Sequence, residues 1–217
     1  MATRSKPAIG ITVGDPAGIG PEIASKAAAD PRVLEVCTPV LYGPQGDESF
    51  AIGQVSAKAG QAAYEAIVAA VGDAQRGRIA GMATAPINKE AFAAAGVPWR
   101  GHTELLAHLT GSDRVAMMFY SDVLRVVLAT VHIPLADVSR KLTRERLDET
   151  IALTAAEMPR FGWPTPRLAL AGLNPRLLTG VQELPGARIL DGQVTGVQQA
   201  IGTLRSREAS ARFLRAF

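Results

Sequence analysis

One cysteine, three histidines and few aromatic residues set the first limits on this 217-residue chain. The single Cys37 excludes an internal disulfide and any metal site built from several thiolates. It lies in the mostly apolar run from Val33 to Val40 and is read as a buried structural thiol. Aromatics make up 5% of the residues, so the core is expected to rest on Ala, Val, Leu and Ile. No run of 18 uncharged apolar residues occurs, so no transmembrane helix and no membrane partner are expected. The segment from Met1 to Pro7 lacks the apolar region of a secretory signal, and a cytoplasmic location is expected. Basic and acidic residues balance at 17 each over residues 1–175, whereas residues 176–217 hold six Arg, no Lys and three acids. Those arginines are scattered and no aromatic ladder accompanies them, so nucleic acid is not an expected partner.

What is present is an alternation of short β-branched runs with alanine-rich segments. Ala8 to Val13 reads as a buried strand, running into a Gly-rich loop from Gly14 to Gly20. Pro21 then opens a helix to about Ala29, in the first-turn position where proline is tolerated. Val40 to Tyr42 and Ile79 to Thr84 read as further strands. Ser56 caps a long helix to about Gly72, and Asn88 caps a helix from Lys89 to Ala95. Thr103 is the expected cap of a helix from Glu104 to Leu109, which Gly111 ends. Val115 to Tyr120 and Leu124 to Thr130 read as a hairpin or as two adjacent strands. Thr143 caps a helix to about Met158, and Arg167 to Gly172 is the last clear strand. The pattern predicts an α/β fold: a mostly parallel sheet with flanking helices and an antiparallel insertion near residues 115–130. After Pro175 the text changes character. The stretch from Arg188 is either a strand or a short helix, and Arg205 to Phe217 fits an amphipathic helix.

Several residues stand where strands give way to helices, the places where ligands gather in open α/β sheets. The loop from Gly14 to Glu22, reading GDPAGIGPE, follows a strand and precedes a helix. Its glycine spacing matches neither the dinucleotide fingerprint nor the nucleoside-triphosphate loop. It is either a tight packing turn or an anion cradle, and Asp15 at its strand end is the residue that speaks for a site. Asn88 and Lys89 follow the Ile79 to Thr84 strand, where Lys89 either meets an anion or lies on a solvated face. His102 precedes a helix, placed either to bind a phosphate or carboxylate or simply in a solvated loop. His108 lies within that helix and is read as surface or packing. His132 follows a run of valines and leucines and precedes Pro134, a position that suits a metal ligand or a structural imidazole.

Taken in order, these pieces resemble one family. GDPAGIGPE from Gly14 to Glu22, TAPINK from Thr84 to Lys89, GHTE from Gly101 to Glu104, Met117-Met118 with LRVVLAT from Leu124 to Thr130, HIPL from His132 to Leu135 and GLNP from Gly172 to Pro175 occur as in the 4-hydroxythreonine-4-phosphate dehydrogenases of vitamin B6 biosynthesis. Six such matches in sequence order, across about residues 8–175, are specific where any one is weak. The resemblance implies a homodimer with an isocitrate/isopropylmalate dehydrogenase-like fold and an interdomain active site completed by the partner subunit. It implies NAD-dependent oxidation of 4-phosphohydroxy-L-threonine followed by decarboxylation, with a divalent metal (zinc, magnesium or cobalt) as Lewis acid. A variant acting on D-threonate or D-erythronate 4-phosphate is equally compatible. By motif, His102 and Thr103 match substrate-binding positions and His132 matches a metal histidine.

The chain also departs from that pattern. The family's second metal histidine follows the Asn-Pro pair, and here that place is Arg176, whose guanidinium stays protonated and offers no lone pair. No counterpart of the third metal histidine or of the downstream phosphate-binding residues occurs. The connection between Gly43 and Ile52 is short. The chain is therefore divided into residues 1–175, matching the family, and a divergent basic tail, 176–217, with the C-terminal part of the fold incomplete. A non-catalytic remnant and an unrelated anion-binding module are the competing readings. The change after Pro175 is read as a truncation or a shifted reading frame in a GC-rich gene. Sequencing through codon 176 checks this, and the absence of an alternative frame with the expected histidines rejects it.

Overall fold

The computed structural model describes residues 6–44, 48–121 and 124–170, together with the backbone of strand 188–190. Packing divides the chain into two units, Met1–Asp113 and Arg114–Phe217. That division follows contacts, whereas the one at Pro175 follows resemblance.

The first unit is built on three parallel strands: β1 (Ala8–Thr12), β2 (Thr38–Tyr42) and β3 (Gly81–Thr84), in the order β2-β1-β3. Gly10 faces Val40 on one side and Met82 on the other. Connections between parallel strands must cross over, and here helices make the crossings. These are α1 (Gly20–Ala29) and α2 (Pro31–Val36) after β1, and α3 (Ala57–Gln75) after β2. Ile11 and Val13 pack with Ala24 of α1 on one side of the sheet. On the other, Tyr42 and Ile79 pack with Ala66 and Ala70 of α3. Beyond α3 lie α4 (Lys89–Ala94) and α5 (His102–Thr110), joined to it through a cluster of Ala63, Ile67, Val71, Phe92 and Leu105.

Small residues set the distances between these layers. A Cβ on Gly10 would lie 2.7 Å from Ile79 and 3.0 Å from the Tyr42 ring, so glycine leaves room for that ring over β1. The Tyr42 hydroxyl then donates to the Asp73 carboxylate at 3.0 Å, and Asp73 also pairs with Arg78. Burial, and then the hydrogen bond to Asp73 and the charge of that carboxylate, push the phenol's pKa up. A Cβ on Gly60 would lie 2.0 Å from the Ala91 carbonyl oxygen, so α3 and α4 touch backbone to backbone.

The expected caps at Ser56, Asn88 and Thr143 accept hydrogen bonds from the first-turn amides of α3, α4 and α7 (Arg144–Glu157). Gly111 ends α5 at φ +62°. Four readings need correction. Helix α2 was not foreseen, although Asp30 and Pro31 form a cap and first-turn pair: the Asp30 carboxylate accepts from the Arg32 amide at 2.8 Å. Hydrogen bonds from the Arg32 side chain and amide hold that half-buried carboxyl at a pKa of about 2. Cys37 is half-buried rather than buried, because it follows this short surface helix, and its thiol donates to the Val33 carbonyl. Strand β2 begins at Thr38 and includes Pro39, which an edge strand accommodates because its outer side has no partner strand among the described residues. Helix α5 starts at His102, so Thr103 lies inside its first turn and Gly101 takes the cap position without a side-chain bond.

The second unit holds the antiparallel pair β4 (Met117–Tyr120) and β5 (Arg125–Leu128), then α6 (Leu135–Lys141), α7 and a 3-10 turn, Met158–Phe161. Helix α6 was also unforeseen. Strand β6 (Arg167–Ala169) runs parallel to β7 (Arg188–Leu190), so a strand is what the stretch from Arg188 begins with. The anticipated helix from Arg205 to Phe217 lies outside the described residues. Among the described residues no helix is long and apolar enough to cross a membrane. The fold is thus α/β, with a parallel sheet flanked by helices and an antiparallel pair, as the alternation predicts.

Two glycines of α3 should respond oppositely to alanine. Gly72→Ala meets only the mobile end of Arg76 and gains helix propensity, so stability should rise by about 0.5–1 kcal/mol. Gly60→Ala meets a fixed carbonyl and should lose about 1–3 kcal/mol or more, outweighing the same gain. Urea denaturation midpoints of the two variants check the contrast.

Candidate functional site

The carboxyl ends of β1 and β3 meet in one place. Gly14 adopts φ +68°, and a Cβ there would lie 2.2 Å from the Pro86 carbonyl oxygen. The Asp15 amide donates to that same oxygen at 3.0 Å. A Cβ on Gly20 would lie 1.9 Å from the Val13 carbonyl oxygen, so α1 starts directly against the strand end. The GDPAGIGPE loop is therefore a packing turn, which its glycines make possible. Asp15 is buried, and one carboxylate oxygen accepts from the Ala17 amide at 2.9 Å. A carboxylate only accepts hydrogen bonds when ionised, so it suits a hydroxyl or ammonium better than an anion.

Asn88 and Lys89 stand beside this turn, after β3. The Asn88 side-chain oxygen accepts from the Glu90 and Ala91 amides, at 2.9 and 3.1 Å. That leaves its NH2 group as the donor available to a ligand. Lys89 is exposed at the first position of α4. The two thus differ: one holds a helix end and the other carries a solvated positive charge.

His102 is the first residue of α5 and is half-buried, and Leu105, one turn on, is fully buried in the core. The His102 Nε2 is enclosed and has no hydrogen-bond partner among the described residues. Leaving a buried polar atom unpaired costs about 1–3 kcal/mol, which a bound polar group would offset. Burial also lowers the imidazole's pKa, so the ring is held neutral near ordinary pH. Thr103 follows it, half-buried in the first helical turn. His108 is exposed and tilts against the Trp99 ring with centroids 4.4 Å apart, while Trp99 stacks on Tyr64, so it serves packing as expected.

His132 belongs to the second unit. It is exposed, and it is the one described non-glycine residue with positive φ, at +54°. Such a backbone costs about 1–3 kcal/mol and persists where its surroundings hold it. Helix α7 supplies a tie: the Arg146 Nε donates to the Ala129 carbonyl oxygen at 2.9 Å, three residues before His132. His102 and His132 thus fall one in each unit.

An exposed imidazole offers one nitrogen to a cation. Among the described residues, no group of three or more His, Cys, Asp or Glu side chains stands close enough to hold a metal ion. Arg176 lies outside the described residues and its guanidinium cannot ligate. The donors of this chain therefore do not fit a three-imidazole metal centre by themselves.

Sequence reasoning passed over two arginines. Arg146 lies three residues after the Thr143 cap, where only its reach back to Ala129 distinguishes it. Arg125 faces Tyr120 across the β4–β5 pair. Its guanidinium lies 4.6 Å from the Tyr120 ring centroid and 4.3 Å from that of Trp163. The alternation of the hairpin predicts the Tyr120 pairing, but nothing local predicts Trp163.

Comparison with known proteins identifies the lineage. The sequence profile of the family described as pyridoxal phosphate biosynthetic protein PdxA matches residues 17–177. A 4-hydroxythreonine-4-phosphate dehydrogenase of Desulforapulum autotrophicum is 38% identical over 239 aligned positions, covering 91% of this chain and 70% of that protein. Those positions outnumber the residues of this chain, so the relative carries segments that this chain lacks. A D-threonate 4-phosphate dehydrogenase of Pectobacterium atrosepticum is 34% identical, covering 77% of this chain and 64% of that protein. The crystal structure of a 4-hydroxythreonine-4-phosphate dehydrogenase from Klebsiella pneumoniae superposes with a TM-score of 0.71 and 31% identity, over 93% of this chain and 72% of that one. The chain thus spans between 60% and 77% of the length of these and similar relatives.

The depressed pKa of His102 gives stability a pH dependence of known sign. Its folded pKa lies below the unfolded value of about 6.5, so the unfolded chain binds the extra proton first. Stability should be full above that value, fall as pH drops through it, and level off below the folded pKa. His102→Gln should flatten this limb, as read from urea midpoints between about pH 5 and 8.

Proposed function

Because this chain belongs to the family of the pyridoxal phosphate biosynthetic protein PdxA, we propose that it carries part of the site of an NAD-dependent dehydrogenase for 4-phosphohydroxy-L-threonine. The unpartnered, enclosed Nε2 of His102, within the matched stretch, is the observation that carries this reading. A neutral imidazole there can exchange a hydrogen bond with the phosphate or hydroxyl of the substrate. Thr103, beside it in the first turn, adds a hydroxyl of the same kind. Lys89 supplies the exposed positive charge that attracts a phosphorylated acid, and the Asn88 amide group is a donor near it. Asp15 closes the turn beside the Pro86 segment that leads to Asn88 and Lys89. NAD, when bound, supplies the hydride acceptor for oxidation of the alcohol, after which the keto acid loses carbon dioxide.

A divalent ion belongs to the family's chemistry by resemblance, and His132 is the position inherited for it. The donor set of this chain does not complete that centre. The proposal is accordingly a chain that binds the phosphorylated hydroxy acid and turns it over slowly or not at all. A cytoplasmic homodimer is part of the proposal, since partner residues complete the sites that the resemblance implies. A second reading, with D-threonate or D-erythronate 4-phosphate as ligand, draws on the similarity to the Pectobacterium enzyme.

Calorimetry with the full chain should detect binding of 4-phosphohydroxy-L-threonine, weakened about tenfold in His102→Ala, as the loss of one hydrogen bond to a charged group predicts. NADH absorbance with added zinc, magnesium or cobalt should show little turnover. Absence of binding to either phosphorylated acid would defeat the substrate reading. Robust turnover that vanishes in His132→Ala would show that the metal centre is complete after all.

A further inference from the structure

We propose that Arg146 is a positioning residue for His132, a role that rests on the reading of His132 as a site residue. Strand β5 ends at Leu128 and helix α6 begins at Leu135, so the six residues between them decide where the imidazole stands. The turn is anchored at both ends. At its far end the Asp137 amide donates to the Pro134 carbonyl oxygen, where α6 begins. At its near end the Arg146 Nε donates to the Ala129 carbonyl oxygen at 2.9 Å, across 17 residues of sequence.

Arg146 is itself well placed to hold a fixed point. Its amide donates to the Thr143 hydroxyl that caps α7, so its backbone belongs to an ordered first turn. Its guanidinium lies 3.8 Å from the Glu149 carboxylate one turn on, which restrains the long side chain along the helix. Next to Arg146, Leu147 is buried, as are Thr150 and Ile151, so the helix carrying this contact is seated in the unit. A planar guanidinium loses less freedom per bond than an ammonium, which suits a tie to a single carbonyl.

The His132 backbone is the reason such a tie matters. An unrestrained histidine relaxes to negative φ, where side-chain and carbonyl sterics are easier. At +54° the residue is held by its surroundings, and the carbonyl at Ala129 is a point at which another element grips the turn through a side chain. Arg146 thus acts on the imidazole through three residues of backbone.

The test is nuclear magnetic resonance on the full chain, wild type and variants. In the wild type, the Arg146 Nε proton should exchange with solvent at least tenfold more slowly than a free guanidinium proton. In Arg146→Met, which keeps the apolar stem and loses the donor, the HN–Hα coupling and Cα shift of His132 should leave the left-handed pattern. Arg146→Lys, which restores a donor, should recover part of that pattern. Unchanged His132 signals in a folded Arg146→Met, or a wild-type Nε proton exchanging at the free rate, would overturn the proposal, and the second measurement needs no variant. These readouts involve no substrate. If ligand binding fails while His132 responds as described, the functional reading falls and the positioning role stands. If binding depends on His132 but its signals ignore Arg146, the reverse holds.

Discussion

Backbone touching backbone is the constraint on which the first unit depends. At Gly14, Gly20 and Gly60 a carbonyl oxygen occupies the space where any other residue would carry its Cβ. These three crossings set where α1 leaves the sheet, where the Pro86 turn lies and how α4 sits on α3. Helix α5 then follows, because its Leu105 enters the cluster that α3 and α4 form. The position of His102 is thus set by how its helix seats Leu105 in that cluster. Packing of this kind tolerates little adjustment, since carbonyls in a close-packed interior cannot yield as a flexible side chain does.

Much of this architecture is readable in the sequence, for definite reasons. Ser56, Asn88 and Thr143 announce helix starts because a side-chain oxygen must satisfy amides that the helix itself cannot. Gly111 announces an end because a left-handed residue closes the helix. Thr103 misleads because the same logic names a threonine as a cap, whereas here the helix starts at His102, directly after Gly101, and leaves Thr103 within its first turn. Helices α2 and α6 escaped because six or seven residues give too little periodicity to stand out. Pro39 argued for a strand beginning after it, and only the edge position of β2 explains its inclusion.

The site divides in the same way. Motif order singled out His102 and His132, and local chemistry raised both ligand and packing roles for the GDPAGIGPE loop. What the sequence could not supply was environment: the enclosure of the His102 nitrogen and the left-handed backbone of His132. Both are properties of the folded backbone and its packing, which residue spacing alone does not report. Asn88 illustrates the overlap of the two roles, since the oxygen that caps α4 belongs to the same amide whose NH2 can still donate.

Each unit holds one of the chain's two tryptophans, and they live in different company. Trp99 sits in an aromatic stack between Tyr64 and His108, while Trp163 lies against the Arg125 guanidinium. The indoles are therefore separate reporters with unlike quenchers. Replacing one with phenylalanine leaves fluorescence that follows the other alone, so the melting of the two halves can be watched independently in the same polypeptide.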